Sequence, residues 1–240
     1  MIKLEEVSKR YGEKTVVDRL SLDIPSGHLF AFIGPNGAGK TTTVKMMAGL
    51  LQLGGGRIMV DGHDIHKEHY AVKQIVSYIP DQPFLYDKLS GREFLLFVAR
   101  MYGVSRADYD ESLDKYSGLF QMSEYVDQLI ETYSLGMRQR LIISAALMRK
   151  PRVVIVDEPL VGLDPNSTRT VKELFRQQVK DGVTIFMSTH LLSVAEEIAD
   201  TIGLINEGKL VAQGTFAELK DKYQFQQSCR LEDIFMKATE

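Results

Sequence analysis

The chain has 240 residues, 44% of them hydrophobic and 25% charged, with a formal net charge of −3. This length suits one large α/β domain, or a core with an insert, and the composition is that of an ordinary globular protein. The mildly acidic balance gives no basic surface for nucleic acid, so no nucleic-acid partner is expected. A single cysteine, Cys229 in the polar stretch QFQQSCR, excludes an intrachain disulfide, fits a reducing setting and reads as incidental.

No apolar run approaches the roughly 18 residues of a membrane span. The opening MIKLEEVSKRYG has a strand pattern rather than that of a secretion leader. Work at a membrane would therefore require another chain as anchor. Residues Ile2 to Val7 and Leu20 to Ile24 alternate apolar and polar, as strands of a partly solvated antiparallel sheet do. Tyr11 lies between them, beside Gly12. It has two readings, an aromatic that stacks on an adenine ring or a turn tyrosine packed on its own sheet.

The apolar run His28 to Ile33 leads into GPNGAGKTT, Gly34 to Thr42, and then into a helically spaced segment to Leu50. Strand, glycine-rich loop and helix in this order form a phosphate cradle, the P-loop. Gly34, Gly37 and Gly39 let the backbone bend around Asn36 and Ala38, so that successive N–H groups point at phosphate oxygens. The helix N-terminus near Lys40 adds positive charge, Lys40 reaches the β- and γ-phosphates, and the Thr41 hydroxyl, followed by Thr42, is placed to ligate Mg²⁺.

Gly54 to Gly56 reads as a flexible break, and Arg57 to Asp61 as a short strand. His63, His66 and His69 lack a zinc-like spacing, so no metal is assigned to them. Ile75 to Ile79 is a buried-strand candidate followed by Pro80-Asp81-Gln82-Pro83. A glutamine leaving a core strand can ligate Mg²⁺ or hold an attacking water, which makes Gln82 a candidate. From about Tyr86 to Lys150 the pattern is helical, with helices expected over Arg92 to Arg100 and Ala107 to Phe120. A helical insertion between two strands is the simplest organisation.

Ser134 stands near the N-cap of a helix running through Leu141 to Met148, and with Gly136 it offers a second anion-receptive helix start. Arg152 to Val156 is continuously apolar, as a strand buried on both faces is, and ends in Asp157 and Glu158. At such a strand end Asp157 would hold Mg²⁺, and Glu158 would face the attacking water as general base. A turn at Gly162 to Pro165, a helix over Asn166 to Asp181 and a strand over Val183 to Ser188 follow. His190, just beyond that strand, is placed to contact a γ-phosphate. Strands Thr201 to Ile205 and Lys209 to Ala212 and helical pieces Phe216 to Lys220 and Leu231 to Lys237 complete the chain.

In this order the motifs resemble those of the ATP-binding subunit of an ATP-binding cassette (ABC) transporter, over about residues 2–215. GPNGAGKT resembles Walker A, Gln82 the Q-loop glutamine, YSLGMRQR the signature motif, VVIVDE Walker B, GLDP the D-loop and His190 the switch histidine. Tyr11 falls at the adenine-stacking aromatic. The signature departs from LSGGQ, with Tyr133, Leu135 and Met137 replacing Leu, Gly and Gln, but it keeps Ser134 and Gly136. That variant, and the ending LEDIF, resemble drug, antibiotic and bacteriocin exporters.

The resemblance implies an α/β P-loop NTPase fold with a mainly parallel sheet, an N-terminal antiparallel β subdomain and an inserted α-helical subdomain. It implies one ATPase domain, with the core in residues 1–85 and 150–215, the helical part in 86–149 and a tail in 216–240. ATP and Mg²⁺ are the implied cofactors. Glu158, His190 and Gln82 are the expected catalytic residues, with Thr41, Gln82 and Asp157 around the metal. Tyr11, Gly34, Asn36, Gly37, Ala38, Gly39, Lys40, Thr41, Thr42, Ser134, Gly136 and Asp164 are expected around nucleotide. Expected partners are a second ABC ATPase subunit, identical or not, and an integral membrane permease subunit at the cytoplasmic face. The rival readings are a soluble ABC ATPase acting on ribosomes or DNA, and a P-loop phosphotransferase, which leaves Ser134 to Arg140 and His190 unexplained.

Overall fold

The computed structural model describes residues 1–225 and 229–239. Strands β1 (Ile2–Tyr11) and β2 (Lys14–Ile24) form a hairpin longer than the sequence pattern suggests. Its outer half, from Ser8 to Arg19, is mostly polar and partly exposed, and register shifts interrupt the pairing. Alternation is therefore a weak signal there. Next come β3 (Leu29–Ile33), α1 (Lys40–Met47), β4 (Gly55–Val60) and the short β5 (His63–Asp64). The order β2-β1-β4-β5 makes a four-stranded antiparallel sheet. The expected break at Gly54 to Gly56 is in part strand: Gly56, at φ +81°, lies so close to β1 that a Cβ would stand 2.4 Å from the Glu6 carbonyl.

After α2 (His69–Ile75) and β6 (Val76–Ile79), three helices intervene before the sheet resumes: α3 (Gly91–Met101), α4 (Arg106–Leu119) and α5 (Leu135–Leu147). Ser90 caps α3 with a full capping box, and Ser105 caps α4. The chain then forms β7 (Val153–Asp157), α6 (Pro165–Lys180), β8 (Thr184–Thr189), α7 (Leu192–Ile198), β9 (Thr201–Asn206) and β10 (Lys209–Gly214). These complete a six-stranded sheet of order β10-β9-β3-β8-β7-β6, parallel except for β10. The fold is α/β, with a mainly parallel sheet, an N-terminal antiparallel sheet and inserted helices.

The continuous apolar runs are explained by burial on both faces. Leu29, Ala31 and Ile33 of β3 point into one hydrophobic cluster, with the inserted helices, while Phe30 and Phe32 point into the other, with β1, β2, β4 and α1. β7 divides the same way, Val154 and Val156 against Val153 and Ile155. Phe186 of β8 closes the second cluster, stacked on Phe30 at 5.5 Å and tilted on Phe32 at 5.4 Å. Replacing Phe186 with alanine should lower unfolding free energy by about 3–5 kcal/mol. Denaturant titration measures this, and a loss below about 1 kcal/mol would contradict so tight a core.

Helices α8 (Phe216–Lys222) and α9 (Leu231–Thr239) fold back on the core, where Leu231 and Ile234 are fully buried. Cys229 is half-buried against the same cluster. His63 lies 3.0 Å from the Glu68 carboxylate, and His66 and His69 are exposed.

Candidate active site

A cleft of about 300 Å³ opens at the C-terminal end of the parallel sheet, lined by Val16, Asn36, Gly37, Gly39, Lys40, Thr41, Thr42, Asp81, Glu158 and His190. This is where open α/β sheets bind ligands. The loop between β3 and α1 forms its floor. Gly39 precedes the helix at φ +102°, and a Cβ there would stand 2.7 Å from the Val16 carbonyl, so the β1–β2 hairpin presses directly on the loop. Gly34 is as tightly held: its Cβ would meet the Ile205 carbonyl at 2.3 Å. Ala38 is buried, and its carbonyl accepts from the Gly208 amide at 3.0 Å. The glycines are required by close approach as well as by turn geometry.

Lys40 is only 6% exposed, and its ammonium donates to the carbonyls of Gly34 at 2.6 Å and Pro35 at 3.1 Å. Burial pushes its pKa below the ordinary lysine value, while the charges of Glu158 and Asp157 pull it back up. Asp157 ends β7 with its carboxyl fully buried. The Ser188 hydroxyl bonds its Oδ1, and Oδ2 has no hydrogen-bond partner among the described residues. Burial raises its pKa; the Ser188 and Thr41 hydroxyls lower it, and the charges of Asp81 and Glu158 raise it.

Glu158 holds a left-handed backbone, φ +48°, unusual for a residue with a side chain. That geometry turns its carboxylate from the strand end toward the cleft, where two groups of β8 and its exit clamp it. His190 Nδ1 lies 2.8 Å from Oε1, and the Thr189 hydroxyl donates to Oε2 at 3.2 Å. The carboxylate is largely covered while the imidazole is half-exposed. The sequence reading placed Ser188 and Thr189 at the end of a core strand without giving either a role in the site; that position beside the acidic pair was the available signal.

Other expected residues lie elsewhere. Gln82 is exposed and outside the cleft, and its neighbour Asp81 forms that wall. Tyr11 ends β1 with half its surface exposed and is not part of the lining, where Val16 stands instead. Ser134 caps α5, accepting from the Met137 amide at 3.3 Å, and is exposed away from the cleft of its own chain. Gly136 packs against the turn before α6: a Cβ would stand 2.9 Å from the Gly162 carbonyl. Asp164 is the N-cap of α6 and accepts from the Asn166 and Ser167 amides, the Ser167 hydroxyl and, at 2.7 Å, Arg140. The Ser167 bonds and then Arg140 hold its pKa at about 2.

The residues that tie α5 to the core were also missed. Gln139, fully buried, donates to the Pro159 carbonyl at 3.1 Å, and Arg140 joins Asp164 to the Phe120 carbonyl. These bonds join the first half of α5 to the loop after Glu158. Tyr133 is a core residue of the helical part, its hydroxyl bonding the Tyr125 carbonyl at 2.8 Å and its pKa pushed by burial to about 12. Leu135 is exposed. A larger cleft of about 390 Å³ lies at the opposite ends of β7 and β8, but its Lys150 and Arg152 are engaged by Asp108 and Asp61.

The ABC transporter family model matches residues 17–161, more than half the chain. The linearmycin resistance ATP-binding protein LnrL of Bacillus subtilis is 37% identical over 219 residues, 91% of this chain and 70% of that protein. The bacitracin transport ATP-binding protein BcrA of Bacillus licheniformis is 34% identical over 223 residues, 92% of this chain and 72% of that one. A solved ATP-binding subunit of an ABC transporter superposes with a TM-score of 0.95 at 29% identity, each chain covered in full. A P-loop floor, a clamped glutamate at the end of β7 and these matches agree: the chain belongs to the ABC transporter family, as one of its ATP-binding, ATP-hydrolysing subunits.

Proposed function

We propose that this chain powers export through a separate integral membrane permease at the cytoplasmic face of the membrane, working as one half of a head-to-tail pair of ATPase subunits. The observation that carries the pairing is the position of Ser134. It caps a helix whose N-terminus is suited to an anion, yet it stands outside its own chain's cleft. A second subunit facing the first would bring that helix start onto nucleotide held by Gly37, Gly39, Lys40, Thr41 and Thr42. No helix among the described residues is long and apolar enough to cross a membrane, so the transport path is assigned to the permease. The export direction rests on relatives named for linearmycin resistance and bacitracin transport.

The orphaned, fully buried Oδ2 of Asp157 fits a divalent cation, which Asp157 and the Thr41 hydroxyl would hold. A Mg²⁺ ion held by these two residues would supply positive charge against that of the bound phosphates. The chain does the rest. Backbone amides of the P-loop and the Lys40 ammonium hold the phosphates, Glu158 takes a proton from the attacking water, and His190 and Thr189 fix the direction of its carboxylate. Tyr11, at the half-exposed hairpin end, stacks on the adenine. The Gln139 and Arg140 bonds carry movement between the Glu158 loop and α5.

Complementation tests the pairing. Lys40→Met spoils the P-loop of one face, and Ser134→Arg spoils the α5 start of the other. Each variant alone should be inactive, and their mixture should regain a sizeable part of wild-type hydrolysis, because a mixed pair has one complete site. A mixture as inactive as its components would refute a shared site.

A further inference from the structure

Tyr133 and Gly91 fit one another across two elements of the helical part. Gly91 is the first residue of α3, although glycine is a poor helix former. The reason lies in its neighbour. A Cβ at Gly91 would stand 2.4 Å from the Tyr133 phenol oxygen and 3.3 Å from the ring carbon that bears it. The Tyr133 ring is buried, edge-on to Tyr125 at 5.1 Å, and its hydroxyl donates to the Tyr125 carbonyl at 2.8 Å. Burial and then Tyr125 raise the phenol's pKa, and the Gly91 amide beside it opposes them. A leucine here, as in LSGGQ, would bring no phenol oxygen for α3 to make room for.

Tyr133 directly precedes Ser134, the cap of α5, and its backbone is held as well as its ring. Arg138, one turn into α5, donates to the Tyr133 carbonyl at 3.4 Å and pairs with Asp87 at 2.8 Å. Asp87 lies on the loop between β6 and α3, which passes the cleft wall at Asp81. The strip before α5 runs along this loop. The Ile130 amide donates to the Leu89 carbonyl at 2.9 Å, and the Glu131 amide to the Asp87 carbonyl at 3.1 Å. Ser134 itself is exposed, so its direction is set from behind. We propose that Tyr133 is a positioning residue: with its hydroxyl seated in the room left by Gly91, it fixes where Ser134 and the α5 N-terminus point. That direction decides how well the α5 start meets nucleotide held by a second copy of the chain, so the inference rests on the pairing proposed above. Tyr133 touches no nucleotide and acts through Ser134.

The mixture of Lys40→Met and Ser134→Arg chains isolates this effect. Its one complete site takes the P-loop from the Ser134→Arg chain and the α5 start from the Lys40→Met chain. Tyr133→Phe added to the Lys40→Met chain should cut the recovered hydrolysis about 3- to 10-fold, the usual contribution of one hydrogen bond. Added to the Ser134→Arg chain, whose α5 start is already spoiled, it should leave the recovery unchanged. Gly91→Ala in the Lys40→Met chain should also cut recovery, and its effect should shrink on the Tyr133→Phe background, where the crowding oxygen is gone. Circular dichroism checks folding, and the Tyr133→Phe chain alone should bind a fluorescent ATP analogue as wild type does. Equal losses from Tyr133→Phe in both mixtures would mark a merely structural tyrosine and overturn the inference. So would no loss in either, weaker binding of the analogue, or a Gly91→Ala loss of the same size on both backgrounds. No recovery in the starting mixture would instead overturn the pairing, and the inference with it.

Discussion

Glu158→Gln should lower ATP hydrolysis roughly 10²- to 10⁴-fold, the usual contribution of a positioned general base. That corresponds to about 2.7–5.5 kcal/mol of lost transition-state stabilisation. The substitution keeps the side-chain length and an oxygen for the Thr189 hydroxyl, so the left-handed turn at φ +48° and the clamp on β8 have little reason to move. What disappears is the carboxylate's ability to take a proton. ATP affinity should stay within a few-fold of wild type, because Glu158 holds no phosphate. Steady-state phosphate release and fluorescent-ATP titration check the two halves separately. Hydrolysis near the wild-type rate would remove Glu158 from its role.

Lys40→Met should weaken ATP binding roughly 10- to 100-fold, the worth of a charge-assisted bond to phosphate. The chain should still fold. Met fills much of the lysine's volume, and it relieves the desolvation that depresses the Lys40 pKa in this 6%-exposed site. The bonds given up, to the Gly34 and Pro35 carbonyls, are offset in part by no longer burying a charge. Titration with a fluorescent ATP analogue and a thermal unfolding scan distinguish the outcomes. Unchanged affinity would mean that the P-loop backbone alone carries the phosphates, and unfolding would mean that Lys40 is chiefly structural.

Much of this was legible in the sequence, because its strongest signals arise from constraints that act locally. β3 and β7 are apolar throughout since both sheet faces are covered, and the motif residues follow them directly. Gly34 and Gly39 announce a loop whose backbone packs too tightly for any Cβ. Less legible was which of two neighbouring residues faces the cleft. Asp81 and Gln82 are both polar, both follow Pro80, and the direction of the chain leaving β6 decides between them. Glutamine drew attention by its side-chain type, and type does not report orientation.

The remaining gaps have similar causes. The outer half of the β1–β2 hairpin lacks alternation, so nothing local indicated that Val16 rather than Tyr11 lines the cleft. Helix α7 has seven residues and no side-chain cap, too short for a period to register. Gln139, Arg140 and Thr189 act on partners about 20 to 30 positions away, at Pro159, Asp164 and Glu158. Spacing along the chain cannot expose such pairings. The reasons for Gly136 and Asp164 also emerged only from packing: one lets α5 approach Gly162, and the other caps α6.

In the proposed mechanism two subunits pair only across bound nucleotide. The mass of the Glu158→Gln protein in solution, by light scattering after size exclusion, tests it most directly. With Mg²⁺ and ATP the protein should shift from monomer to dimer, and it should return to monomer when ATP is removed. A chain that binds ATP yet stays monomeric at every concentration would contradict the account of two copies joined head to tail across nucleotide.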